Sequence, residues 1–359
     1  MDWVNDVSFK SRNWLVLAGV VLIAAVAAVV GGRKDPRGSS AVTSVEPAAS
    51  SNSARRVAAA VSVAAPVRSR EGFVGSAVCA GCHRAESEAY VGSHHGKALV
   101  TPSAEMAKAR FEGAHFKSKL GGTTTFSVGQ AGPVVRSVGT GGKSESFPVD
   151  YVSGVWPLEQ YVVRAQRGKL QALGVAWDSR SAAEGGNQWV HVYGADGIGP
   201  RDSLYFTSAS QNWNHVCADC HSTWVERRYD VASDAFDSRW AEQAVGCEAC
   251  HGPGAEHVRS AKAGERPAPF AVRLKLSEPW TPAATGSPTP RSQDEVEVEV
   301  CAPCHSRRKP LKEAFLASDP FLDSFEPELL WPGRYHADGQ VEGEVYEWGS
   351  FLQSRMHHA

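Results

Sequence analysis

Cys247-Glu248-Ala249-Cys250-His251 has the form Cys-x-x-Cys-His, and the form recurs three times more. The other copies are Cys79-Ala80-Gly81-Cys82-His83, Cys217-Ala218-Asp219-Cys220-His221 and Cys301-Ala302-Pro303-Cys304-His305. Together they use all eight cysteines of the chain. Two thiols three positions apart can add to the two vinyl groups on one edge of a haem, and the next residue then brings an imidazole to the iron. Paired cysteines also build zinc ribbons, disulfide frameworks and thioredoxin-like redox pairs. None of these needs a histidine directly after the second cysteine, and no cysteine is left over for them. With 13 His in 359 residues, four such histidines by chance is an event on the order of one in a million. The pattern reads as four covalently attached haems c. Cys79, Cys82, Cys217, Cys220, Cys247, Cys250, Cys301 and Cys304 would be the attachment points, and His83, His221, His251 and His305 one axial ligand each.

C-type haem is attached on the far side of an energy-transducing membrane, so the chain is expected to be exported. Lys10 and Arg12 precede an uncharged run from Trp14 to Val30, with Arg33, Lys34 and Arg37 after it. Residues 1–36 therefore read as an uncleaved signal anchor, with a cleaved signal peptide as the alternative. The basic residues on the two sides do not choose the orientation by the positive-inside rule; the need to mature haem does. Residues 37–70, rich in Ser, Ala, Val and Pro, read as a flexible tether. The expected location is the periplasm, anchored to the inner membrane. A net charge of −2 with no basic stripe argues against a nucleic-acid partner.

Residues 71–359 are left for a tetrahaem domain. Haem burial replaces part of an ordinary core, so the expected fold is mainly α and irregular, with short helices around the cofactors. An antiparallel β-insert is expected at about 121–195, between the first and second motifs. It shows as β-rich Thr123–Val138 around Gln130-Ala131-Gly132, Tyr161–Trp177 around Arg167-Gly168, and Gln188–Tyr193. Scaffolding is the plainer role for that insert. A helix is expected over Arg84–Leu99, weakened by Gly92 and Gly96. Glu295–Val300 alternates like a strand yet leads straight into Cys301, and period alone does not assign it.

The second axial position decides what each iron can do. A second histidine leaves an electron carrier, whereas an open position allows a small molecule to react. His257, after the turn His251-Gly252-Pro253-Gly254, is the first distal candidate, with the Cys217/Cys220 haem as its neighbour in sequence. His94 or His95 comes next, since only one of two adjacent helical residues can face a given iron. His336 and the terminal pair His357-His358 are weaker candidates, and His215 lies too near its own motif to reach round that haem. Arg307 and Arg308 could pair with haem propionates or form a solvated basic turn. No Cys-x-x-Cys-Lys motif occurs.

From Phe73 onward the chain resembles the multihaem cytochrome c-554/c-prime-like proteins, relatives of which often carry C-terminal tetratricopeptide repeats. Besides the four motifs, Ser93-His94-His95, Leu170-Gln171-Ala172-Leu173, Ala176-Trp177-Asp178 and Gln211-Asn212-Trp213-Asn214 carry the likeness. So do His251-Gly252-Pro253-Gly254, Tyr335-His336-Ala337-Asp338-Gly339-Gln340 and Gly349-Ser350-Phe351-Leu352-Gln353-Ser354. The resemblance implies His251 as a proximal ligand and His257 as a distal one, and favours distal roles for His94 or His95 and for His336. In that family the last segment continues into another haem motif and helical repeats. This chain therefore reads as truncated or as a fragment, which leaves His357 and His358 open. The expected function is electron transfer between redox partner proteins. The competing reading is a haem-based reductase of a small nitrogen or sulfur compound at one open iron, and an assembly scaffold is a third.

Overall fold

Thr123 to Val138 forms the hairpin that its turn signal predicts, and the strands around it make the largest element of the structure. The computed structural model describes residues 72–194, 197–272, 274, 293–328, 330–342 and 346–357. The anchor and tether expected at 1–36 and 37–70 lie outside the described residues, as does His358. The described residues belong to one compact unit, Ala64–Ala359. Among them, no helix is long and apolar enough to cross a membrane.

The first motif begins on α1 (Ser76–Ala80), and α2 (Arg84–Val91) follows at once. The helix expected over Arg84–Leu99 stops at Gly92, so His94 and His95 sit in a turn before β1 (Leu99–Val100). Gly96 explains the turn: a Cβ there would lie 2.7 Å from the Tyr90 carbonyl oxygen, a close approach that glycine alone permits. Next comes α3 (Ala104–Phe111), capped by Ser103, whose Oγ accepts from the Met106 N–H at 3.1 Å.

Seven strands then follow in order: β2 (His115–Ser118), β3 (Gly122–Gly129), β4 (Gly132–Val138), β5 (Ser144–Ser153), β6 (Leu158–Arg164), β7 (Leu170–Asp178) and β8 (Gln188–His191). Each pairs antiparallel with the next, and β1 joins the end of β5 through Leu99↔Ser153 and Val100↔Val152. The edges β2 and β8 approach each other, with the Phe116 and His191 rings 6.3 Å apart, so the eight-stranded sheet is a nearly closed barrel. The β6–β7 reversal runs through Arg167 and Gly168 with φ of 60° and 70°. A side chain on Gly168 would collide with the Phe236 carbonyl oxygen, so this turn needs glycine for space as well as for φ.

Aromatic side chains fill the barrel. Phe126 stacks on Trp189 at 3.8 Å, and Phe111 of α3 stands edge-on to Phe126, Tyr161 and Trp189 at 5.4, 5.0 and 5.5 Å. Phe111 and Tyr161 are fully buried, and burial of such a side chain contributes about 1.5–3 kcal/mol. Arg110 pairs with Glu159 and donates to the Tyr161 hydroxyl at 3.2 Å, and its guanidinium lies over Trp177.

The expectation of a mainly α and irregular fold is overturned. Among the described residues the fold is mainly β, 27% helical against 29% strand, and what reads as an insert at about 121–195 is the central sheet. The helices at the second motif are too short to dominate: α4 (Trp213–Val216) and α5 (Ala218–His221) have four residues each. Helices of that length have no stability of their own and draw it from packing.

That packing is visible for α4 and α5. Trp213, 1% exposed, joins Leu99, Val162, Leu170, Ala218 and Val225 in one cluster against the sheet. Asn212 caps α4, its Oδ1 accepting from the His215 N–H at 3.0 Å while its Nδ2 donates to Gln171 Oε1 at 2.9 Å. Asn214 accepts from the Leu170 N–H at 2.7 Å and donates to Ser238 Oγ at 2.9 Å. The second motif is thereby docked on β7 by buried polar contacts. Asn214→Ala should cost about 2–3 kcal/mol, because it orphans a buried N–H along with the lost bonds. A lowered midpoint in chemical denaturation checks this.

Beyond α5 come β9 (Ser222–Glu226), the small hairpin β10 (Tyr229–Asp230) and β11 (Ala235–Phe236), and β12 (Arg239–Gln243), which pairs with β9. The third motif is α6 (Cys247–His251), followed by α7 (Ala255–Lys262). The fourth ends α8 (Gln293–His305), so the alternating Glu295–Val300 stretch is helical. Then β13 (Arg308–Pro310), α9 (Phe321–Ser324) and β14 (Phe325–Pro327) precede α10 (Trp348–Leu352), with β13 and β14 paired. Trp348 Nε1 donates to the Val298 carbonyl at 3.2 Å, which ties α10 to α8.

Candidate haem centre

All eight cysteines are described, and none forms a disulfide. Among the described residues, no three His, Cys, Asp or Glu side chains converge as a metal-ligand group. Burial pushes the Cys79 and Cys250 thiols up to about 11 and Cys217 up to about 12. A thioredoxin-like nucleophile has the opposite shift. Cys220 is the exception, lowered by its hydrogen bond with Cys304 and by the Arg308 guanidinium. Two cysteines with an adjacent imidazole, four times over, form the donor set for thioether attachment, which fits haem c.

The motifs lie against one another in a series. The Cys247 N–H donates to Ser76 Oγ of α1 at 3.0 Å, joining the third motif to the helix on which the first begins. Cys250 and Cys301 line the same cavity, which brings the third motif beside the fourth. Cys220 Sγ lies 4.0 Å from the Cys304 carbonyl oxygen and Cys304 Sγ 3.9 Å from that of Asp219, joining the fourth to the second. A cavity of about 540 Å³ opens where the later motifs meet, lined by Cys217, Cys220, His221, Cys250, Cys301, Cys304 and His305 with His94 and His95.

Two histidine pairs have the separation that a shared iron requires. With metal–imidazole bonds of about 2.0 Å, two rings on opposite sides of one metal have centres about 6 Å apart. His83 and His257 have ring centres 6.2 Å apart, and so have His95 and His305. His257 therefore stands opposite the first motif, not beside the Cys217/Cys220 motif as the sequence order implies. The turn at His94-His95 brings His95 to His305, and His94 has no such counterpart among the described residues. His336 is exposed, with its backbone N–H bonded to Gln340 O, and its ring meets no other imidazole among the described residues. His357 packs on Phe351 at 5.3 Å. No ring contact among the described residues brings a second imidazole to His221 or His251.

Hydrogen bonds fix which ring nitrogen is presented. His257 Nδ1–H donates to the Ala268 carbonyl at 2.9 Å, leaving Nε2 as the free ligand atom, with Phe270 stacked on the ring at 4.6 Å. His221 Nδ1–H donates to the Ala98 carbonyl at 2.9 Å and lies 3.0 Å from Ser153 Oγ. Burial lowers the His221 pKa, as it does that of His95. Ser153 ends β5 and pairs with Leu99, so the sheet itself orients the second motif's imidazole.

Three further contributors escaped sequence reasoning. Ser153 is one. Glu248, inside the third motif, accepts from the Val74, Gly75 and Gly254 N–H groups at 3.0, 2.8 and 2.7 Å and so binds the third motif to the chain entering the first. Asp219, inside the second motif, pairs with Arg227 and Arg308. An acidic residue between the two cysteines was the available signal for Glu248 and Asp219. Arg307 is buried beneath Tyr346, which excludes the solvated basic turn.

Residues 201–252, which hold the second and third motifs, match the family model described as cytochrome c554 and c-prime. No curated protein matches the chain. A solved structure described as the outer cell wall cytochrome OcwA aligns at 18% identity with a TM-score of 0.41, over 75% of this chain and 50% of that one. The chain thus spans about half the length of that cytochrome. The family match supports a haem-binding, electron-transferring chain of the cytochrome c type, and over residues 201–252 this chain is similar to the cytochrome c554 and c-prime family.

Proposed function

We propose that this chain is a periplasmic tetrahaem c-type cytochrome, held at the inner membrane by its N-terminal segment, that passes single electrons between redox partner proteins. The observation that carries this reading is the packing of the motifs: the Cys247 N–H donates to Ser76 Oγ on the first motif's helix at 3.0 Å, Cys250 and Cys301 line one cavity, and Cys220 Sγ lies 4.0 Å from the Cys304 carbonyl oxygen. Cofactors attached at those points would be neighbours in the order first, third, fourth, second. Bound haem supplies one-electron chemistry at iron. The protein's share is to tether each haem through two cysteines and to orient imidazoles through Nδ1–H bonds such as that to Ala98. His83 with His257, and His305 with His95, would saturate two irons.

His221 favours the second reading, reduction of a small nitrogen or sulfur compound, because no second imidazole meets it among the described residues and it borders the 540 Å³ cavity. One experiment tests both readings. The pyridine haemochrome of the matured protein should give four haems per chain, and fewer would defeat the tetrahaem reading. A carbon monoxide difference spectrum of the reduced protein then separates the two. No shift supports a pure carrier, and a shift at about one haem per chain supports the reductase.

A further inference from the structure

Asp219 stands between Cys217 and Cys220, and its carboxylate meets two guanidiniums: Arg227, with which it pairs closely, and Arg308 at 3.4 Å. Arg227 is buried and the other two are largely covered, with side-chain exposures of 9%, 6% and 11% for Asp219, Arg227 and Arg308. Glu313, the next carboxylate, is 56% exposed and 4.0 Å from Arg227, where solvent and salt screen it. Arg308 has no carboxylate of its own among the described residues. Its Nε donates to the Pro303 carbonyl at 2.8 Å, its guanidinium lies 4.2 Å from the centre of the Phe325 ring, and its Nη2 is 3.7 Å from Cys220 Sγ. Pro303 belongs to the fourth motif and Cys220 to the second. Two guanidiniums thus share one largely covered carboxylate at the seam between two motifs, and Glu313 answers Arg227 only from the exposed side. A buried charge without a full partner is costly, and a negative charge arriving next to it relieves the cost.

We infer that Arg308 is a positioning residue for electrons: its charge holds them on the haem pair attached through Cys217/Cys220 and Cys301/Cys304. This rests on the reading of four attached haems. Each step is the transfer of one electron from a one-electron donor protein to a ferric iron, with no bond made or broken. The added negative charge is stabilised by the guanidinium, and more so in a low-dielectric seam than in water. The second and fourth motifs then form the electron-retaining end of the series that starts at the first.

The test is a potentiometric titration of the full, matured protein, followed in its visible haem bands. Arg308→Gln keeps a donor and removes the charge. It should move one or two components to lower potential by about tenfold in the reduction equilibrium, about 59 mV for one electron. Arg308→Lys should keep most of the native potential. Asp219→Asn should shift the same components upward, and it carries the test if Arg308→Gln fails to mature. A native titration curve in both neutralising variants, or an equal shift in Arg308→Lys and Arg308→Gln, overturns the inference. Haem-peptide masses separate its failure from that of the underlying reading. Haem missing from either peptide in the native protein overturns both, and haem present with unmoved potentials overturns only the role of Arg308.

Discussion

His257→Ala should convert one haem into a carbon monoxide-binding haem while the haem count per chain stays the same. The first haem would remain attached through Cys79 and Cys82 and would keep His83, so the substitution removes only the far ligand. His257 is held for that role by the Nδ1–H bond to Ala268 and the Phe270 stack. Its ring stands 6.2 Å from that of His83, centre to centre. The measurement is the carbon monoxide difference spectrum against the unchanged protein, with a gain of about one haem per chain expected. His95→Ala should give a second, independent gain at the fourth motif, and His336→Ala should give none. A His257→Ala spectrum identical to the native one would remove His257 from the ligand set.

Glu248→Ala should destabilise the fold by about 3–5 kcal/mol, the second large effect. The side chain is 2% exposed, and its carboxylate serves the N–H groups of Val74, Gly75 and Gly254. An unsatisfied buried donor costs about 1–3 kcal/mol, and bonds to a charged acceptor are the stronger kind. Two of the donors precede α1 and the third lies in the turn before α7. The loss should therefore also loosen the approach of His257 to His83. Denaturant unfolding gives the stability change, and Glu248→Gln, which keeps one acceptor oxygen, should recover part of it.

The four Cys-x-x-Cys-His motifs were legible because covalent chemistry on one porphyrin edge demands a local spacing. The hairpins were legible too, since Gln130-Ala131-Gly132 and Arg167-Gly168 are turn chemistry that acts over a few residues. What failed was weighting. Long strands between the first two motifs read as an addition to a helical protein, whereas helices of four or five residues such as α5 and α6 cannot organise a core. Partners distant in sequence were the other blind spot. Nothing near His257 says that its counterpart is His83, and nothing near Ser153 says that it meets His221. Glu295–Val300 shows the same limit, since its alternation reads as a strand until Trp348 bonds Val298 across a helix pair.

The two histidine pairs have a mechanical consequence for a chain whose cysteines form no disulfides. His83 and His257 are 174 residues apart in sequence, and His95 and His305 are 210 apart. An iron bridging each pair would be a cross-link closing a very long loop, and both loops enclose the whole barrel from β1 to β8. In the chain-entropy picture, closing a loop of that length restrains the unfolded chain by about 5 kcal/mol. Loading iron would then brace the barrel at both crossings, and releasing either imidazole would slacken the protein far from the metal.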